Sequence, residues 1–199
     1  MNKSKLKIWE LALLMALCFS LCMGTWAQAK QTSLSGGLVR LHVIAVSDDD
    51  NEQRIKLNVR DEVLSYISPK LECAESAAEA QAIIAAELDG IKAAAEETAE
   101  GRSVQVCLDE EYYPTRDYER FSLPAGRYQS LRVILGEGQG HNWWCVVFPP
   151  LCISAAEQEK AMQSMSEDMR GIVTEADGFQ IKFRIIELWG ELSQLLGGK

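Results

Sequence analysis

LVRLHVIAVSDDDNEQRIKLNVRDEVL, residues Leu38 to Leu64, is the stretch whose reading decides the fold. Leu38 to Val46 is apolar and rich in β-branched residues, which predicts a strand with an apolar carboxyl end. Ser47-Asp48-Asp49-Asp50 breaks that strand and supplies residues suited to start a helix. Ile55, Val59, Val63 and Ile67 then recur every four residues, with Leu57 and Leu64 widening the stripe. That spacing predicts an amphipathic helix ended by Pro69. A strand followed at once by a helix with one apolar face fits a sheet packed against helices.

Working outward, Ala77 to Ala99 predicts a second helix, with Ile83, Ile84, Leu88 and Ile91 on its apolar face. Ser103 to Leu108 reads as a strand. The segment from Glu110 to Leu135 reads as strand, turn and strand, with Pro124-Ala125-Gly126 as the turn. Trp144 to Phe148 reads as a further short strand. Ala155 to Met169 predicts a third helix whose Met162, Met165 and Met169 fill core. Phe179 to Ile186 predicts a last strand before a terminal amphipathic helix. Two helices between the first two strands give a crossover long enough for parallel pairing. The expectation is one compact α+β or α/β domain, a mixed sheet packed against helices.

The amino terminus reads as an export signal over residues 1–29, leaving 30–199 as the domain. Lys3, Lys5 and Lys7 make a positive start, Leu11 to Met23 is apolar apart from Ser20, and Ala27-Gln28-Ala29 fits a small-x-small cleavage site. The run Leu11–Met23 is short for a membrane span. An uncleaved anchor is the alternative. Leu17 and Leu21 stand where a lipoprotein signal needs a small residue before Cys18 or Cys22.

The chain has 199 residues with 20 basic and 29 acidic side chains. Removing Lys3, Lys5, Lys7 and Glu10 leaves 17 basic and 28 acidic, a net charge of −11. Such a domain is repelled by nucleic acid and by anionic headgroups. Cys73, Cys107, Cys145 and Cys152 remain, an even number in an exported chain.

GHNWWCVVFPPLC, Gly140 to Cys152, concentrates aromatic and constrained residues. Trp143 and Trp144 are large apolar groups side by side, and Pro149-Pro150 stiffens the backbone. Gly136, Gly138 and Gly140 allow a sharp turn before them. A Cys145–Cys152 bridge would hold this segment in one shape, which suits recognition; two buried thiols are the other reading.

The chemistry-bearing residues form no enzyme signature. His42 and His141 are the two histidines. Cys145 with either of them supplies the residue types of a cysteine hydrolase, which is the alternative to a binding protein. The acids at 48–50 lack calcium-loop spacing, and the cysteines match no zinc knuckle. No catalytic set, metal or cofactor is expected.

Three segments carry a family resemblance: Leu38–Leu64, LPAGRYQSLRVILGEGQGHNWWCVVFPPLC from Leu123 to Cys152, and FRIIELW from Phe183 to Trp189. Together they resemble the stage II sporulation protein R family of endospore-forming Firmicutes. Family members usually carry asparagine where this chain has Val46. The resemblance implies a non-enzymatic signal. Such proteins are exported from the forespore into the space between the two sporangial membranes, where they act peripherally. There they trigger a membrane-embedded aspartic protease that removes the pro-sequence of sigma-E. It further implies that Trp143, Trp144, Phe148 and Arg127 contact that protease or support the contact.

Overall fold

The computed structural model describes residues 7–118 and 122–151. The expected third helix, last strand and terminal helix lie outside them, as does Cys152. The element order is α1 (Ile8–Gly36), β1 (Val39–Ile44), α2 (Asp50–Leu71), α3 (Ala77–Ala86), α4 (Leu88–Thr98), β2 (Val104–Tyr113), β3 (Arg116–Asp117), β4 (Ser122–Leu123), β5 (Gly126–Leu135) and β6 (Asn142–Phe148). A four-stranded sheet has the order β2-β5-β1-β6, and β3 pairs with β4 separately. β1 is parallel to β5, while β6 lies antiparallel to β1 and β2 antiparallel to β5. The fold is α+β with a mixed sheet, as the sequence suggests. The parallel partner of β1 is β5, however, and the strand after the helices takes the far edge.

β1 is buried along its whole length, which explains why it reads as a continuous apolar run rather than an alternating one. Alternate residues leave a strand on opposite faces. Val39, Leu41 and Val43 join Leu131, Val133 and Leu135 of β5 beneath the helices, against Ile55, Val59, Val63 and Ile67 of α2 and Ile84 and Ile91. Leu38, Tyr113, Leu123, Tyr128, Val146 and Leu151 form a second cluster on the other face, with Tyr118 and Trp144 against it.

Several boundaries differ from expectation for identifiable reasons. The helix expected over 77–99 is two helices that break at Glu87, whose φ is −104° and ψ 7°. Tyr66 donates to the Glu87 carboxylate at 2.7 Å, and Lys70 pairs with it at 3.2 Å. A Cβ on Gly90 would collide with the Tyr66 hydroxyl, so α2 and α4 meet closely just past this break. α2 continues through Pro69 to Leu71, a buried side chain that ties the last turn to the core. β2 runs five residues beyond the expected strand, to Tyr113, paired with β5 throughout.

α1 is one helix from Ile8 to Gly36 and passes through the expected cleavage site. Its stretch Ile8–Trp26 is 19 residues long and apolar enough to cross a membrane. That exceeds the thirteen-residue run counted from Leu11 to Met23, because Trp9, Trp26 and the weakly polar Gly24 and Thr25 extend it. Length therefore favours neither a signal segment nor an anchor.

Candidate functional site

The turn from β5 into β6 is built from the two motifs that dominate the sequence. Gly136 and Gly138 have φ of 57° and 64°, the left-handed region that glycine occupies without strain. Gly140 is needed for another reason: a Cβ there would strike the Ser47 carbonyl. Its N–H donates to the Ala45 carbonyl at 2.9 Å. The acidic run then ties down the next residue. Asp48 accepts from the His141 backbone N–H at 2.6 Å, and His141 Nδ1 lies 2.6 Å from the same carboxylate. Asp49 occupies the N-cap position of α2 without a side-chain cap hydrogen bond, while Asp50 and Glu52 place negative charge in the first turn. One of the three aspartates thus serves the aromatic segment rather than the helix.

α2 supports the same segment from its other side. Lys56 is 4 % exposed, and its Nζ donates to the His141 carbonyl at 3.0 Å. Burial lowers its pKa, partly offset by the nearby Asp48 charge. One turn on, the Arg60 guanidinium stacks over the Trp143 ring, 4.4 Å from its centroid. Trp143 remains 37 % exposed. Among the described residues outside α1, it is the one large apolar side chain at the surface.

Trp144 leaves β6 on the opposite face. Its ring lies 5.5 Å from His42 and 6.4 Å from Tyr113, with the Arg116 guanidinium 3.7 Å above it. Tyr118 donates to the Trp144 carbonyl at 3.3 Å and accepts from Arg40 Nη2 at 2.6 Å. Arg40 is wholly buried and sits 3.9 Å above the Tyr113 ring. His42 Nδ1 meets the Glu111 carboxylate at 2.9 Å, and Tyr113 shares a 2.6 Å hydrogen bond with Ser130. Burial raises the pKa of Tyr113 and Tyr128 well above the ordinary tyrosine value, so both rings stay neutral. This polar and aromatic network was not read from the sequence. Its signal was available: Arg40, His42, Tyr113, Tyr128, Ser130 and Arg132 all fall on one parity of their strands.

The four expected contact residues do not gather at one place. Trp143 and Arg127 are exposed, Trp144 and Phe148 are half-buried, and Phe148 packs on the core beneath the helices. Arg127 lies 4.0 Å from Glu110 near the start of β5. Trp143 pairs with Val43, which pairs with Val133, six residues along from Arg127. The two are therefore separated by at least about 20 Å along the strands.

The cysteine-hydrolase set is not assembled. Cys145 pairs with Leu41 and His42 with Trp144, so Cys145 and His42 project to opposite faces. Cys145 is buried, whereas His141 is exposed on the preceding turn and held by Asp48. Cys73 and Cys107 carry free thiols, and Cys145 is not among the free cysteines.

Fold and site together define a small α+β domain behind an apolar amino-terminal helix, with an aromatic edge strand clamped between two charged networks. The chain belongs to the stage II sporulation protein R family, whose family model matches residues 35–158. It is 34% identical over 180 residues to the stage II sporulation protein R of Bacillus subtilis (strain 168), covering 77% of this chain and 80% of that protein. No solved structure matches. Family membership supports a role in sporulation.

Proposed function

We propose that this chain is an exported intercompartmental signal that activates a membrane-embedded aspartic protease, which then processes the sigma-E precursor. The chain is the trigger and does not cut. Its place of action is the space between forespore and mother-cell membranes, reached by export from the forespore. The observation that carries this reading is Trp143: a large ring at the surface, held in place by Arg60, on a segment braced by Asp48 and Lys56. Tryptophan and arginine are the residue types that dominate binding hot spots. A ligand shifts its partner only by binding the active arrangement better than the inactive one, and a pre-shaped edge loses little order on doing so.

Within this reading Trp143 is the contact, Trp144 and Phe148 hold the segment, and Arg127 belongs to a separate outer contact. A Cys145–Cys152 bridge stiffens the segment past β6. Cleavage after Ala29 releases the domain, and a retained α1 would instead anchor it.

The test is reconstitution of the chain with the protease and its precursor in vesicles. Precursor should be cut only when chain and protease are both present, and a folded Trp143→Ala chain should fail to trigger. Cleavage by the chain alone would replace the signal with an enzyme.

A further inference from the structure

The four-stranded sheet ends at β2 on one side and at β6 on the other, and the two edges differ. β2 runs ten residues from Val104 to Tyr113 and pairs with β5 throughout without a bulge. Every second residue of such a strand turns its N–H and C=O outward. Among the described residues, no hydrogen bond reaches that outer edge between Gln105 and Glu111. Each residue of this stretch keeps solvent exposure. In β6, by contrast, Cys145, Val146 and Val147 are buried, and the pairing with β1 shifts register near Val39. Exposed edges are commonly protected by lysine, proline, a bulge or shortness. β2 has no lysine, no proline and no bulge, and the charges it carries are acidic.

The side chains of β2 define what fits beside it. Val106 and Leu108 are half-buried against the core beneath the helices, so an added strand continues that layer with apolar residues. Cys107, Asp109 and Glu111 point to the other face. Glu111 is engaged there by His42 and Arg132. Glu110, on the helix-side parity, has the exposed Arg127 at 4.0 Å. Asp109 is exposed, its register partner is Ser130, and no basic side chain pairs with it among the described residues. The edge is therefore apolar towards the helices and short of positive charge on the opposite face. Opposite charges across a strand pair stabilise it, and like charges oppose it. A second β2 supplies no such charge, because Val104–Tyr113 contains neither lysine nor arginine.

We propose that the outer edge of β2, from Gln105 to Glu111, is a docking surface for an extended segment of a partner protein in which apolar and basic residues alternate. The segment adds a fifth strand to the sheet. Main-chain hydrogen bonds supply affinity, and alternate side chains supply specificity. Its apolar residues lie beside Val106 and Leu108, and a lysine or arginine lies beside Asp109. The surface is three strand spacings from β6 and Trp143, about 14 Å across the sheet. It neither uses nor requires the signalling contact proposed there.

The experiment uses three short acetylated and amidated peptides: alternating valine and lysine, alternating valine and glutamate, and the valine–lysine composition with like residues grouped. Each is titrated into the full chain in nonionic detergent. Anisotropy of a labelled peptide reads binding, and residue-resolved amide hydrogen exchange reads the contact. In the chain alone, every second amide from Gln105 to Glu111 should exchange fast. The alternating lysine peptide should bind saturably and slow those amides at least about tenfold, with Asn142–Phe148 unchanged. The grouped peptide, of equal charge, should bind at least about tenfold more weakly, and the glutamate peptide should not bind. Asp109→Lys, at an exposed position, should weaken the lysine peptide about fivefold and let the glutamate peptide bind. Equal binding of the grouped peptide, no saturable binding, or protection confined to β6 would each overturn the proposal. So would slow exchange of every amide from Gln105 to Glu111 in the chain alone. If that protection rises with concentration, the edge belongs to a second copy; if it does not, the edge belongs to another segment of this chain.

Discussion

Truncating the two adjacent tryptophans separates the ring that holds β6 from the ring offered to a partner. Trp144 packs against His42 and Tyr113 and carries Arg116 on its face. Removing it opens a space between three side chains and strips Arg116, whose Nε already lacks a partner, of its ring. A buried tryptophan truncated to alanine costs about 3–5 kcal/mol, and Trp144→Ala should fall near the lower end because the ring is half-buried. Trp143 is 37 % exposed, and the Arg60 guanidinium lies over its ring. An exposed cation–π contact is worth about 0.5–1 kcal/mol, and the Arg60 stem can settle into part of the space. Trp143→Ala should therefore cost about 1–2 kcal/mol. The difference between the variants, about 2 kcal/mol, corresponds to roughly 4–8 °C in Tm for a chain of this length. Urea denaturation with equal slopes for all three proteins would show that the midpoints report stability alone. Precursor processing is then assayed at a temperature where both variants are folded. Trp143→Ala should lose triggering with the smaller fall in Tm. Equal melting shifts, or a larger shift for Trp143→Ala, would refute the assignment of the two faces.

Further outcomes follow from other parts of the molecule. Non-reducing peptide mass mapping of exported protein should find an amino terminus at Lys30, a Cys145–Cys152 peptide, and alkylatable Cys73 and Cys107; a product retaining Leu11, or an alkylatable Cys145, contradicts the corresponding proposal. Stability should decline as pH rises above about 10, the ordinary tyrosine value, because Tyr113 and Tyr128 ionise freely only in the unfolded chain. Each withholds a proton's release in the fold, and this contributes a loss of roughly 1.4 kcal/mol per pH unit until its folded pKa is reached. Tyr113→Phe should flatten that alkaline slope by about one such increment, and an unchanged slope would show that Tyr113 ionises in place.

Much of the layer beneath the helices was legible because its signal is local. The four-residue spacing from Ile55 to Ile67 marks the buried stripe of α2, and the apolar run of β1 marks a central strand. The break at Glu87 was not legible, since it depends on Tyr66 and Lys70 reaching it from another helix. The partner of β1 was hidden for a related reason. A long crossover permits parallel pairing but does not name the strand, and here β5 takes the place beside β1 while β2 closes the edge. At the site, the turn glycines and the opposed tryptophans could be read from backbone rules that need only near neighbours. The distance between Arg127 and Trp143 could not, because it follows from strand register.

The face bearing Arg40 shows where such reading stops. In sequence, Arg40 and His42 interrupt an apolar run and look like the polar half of an alternating strand. In the fold they are buried, and what surrounds them comes from β2, β5, β6 and the 116–118 segment. No local pattern reports that convergence. Each donor, cation and ring is ordinary alone, and the departure from a simple core appears only when their partners are counted. That count separates the two faces of β1 by purpose. Val39, Leu41 and Val43 bury area under the helices within one apolar cluster. Arg40 and His42 occupy equally buried positions at a desolvation cost that the described residues offset only in part. A substitution that merely relieved this cost, such as Arg40→Met, would leave no opposite charge stranded behind it. The buried arginine is therefore not accounted for by the stability it contributes.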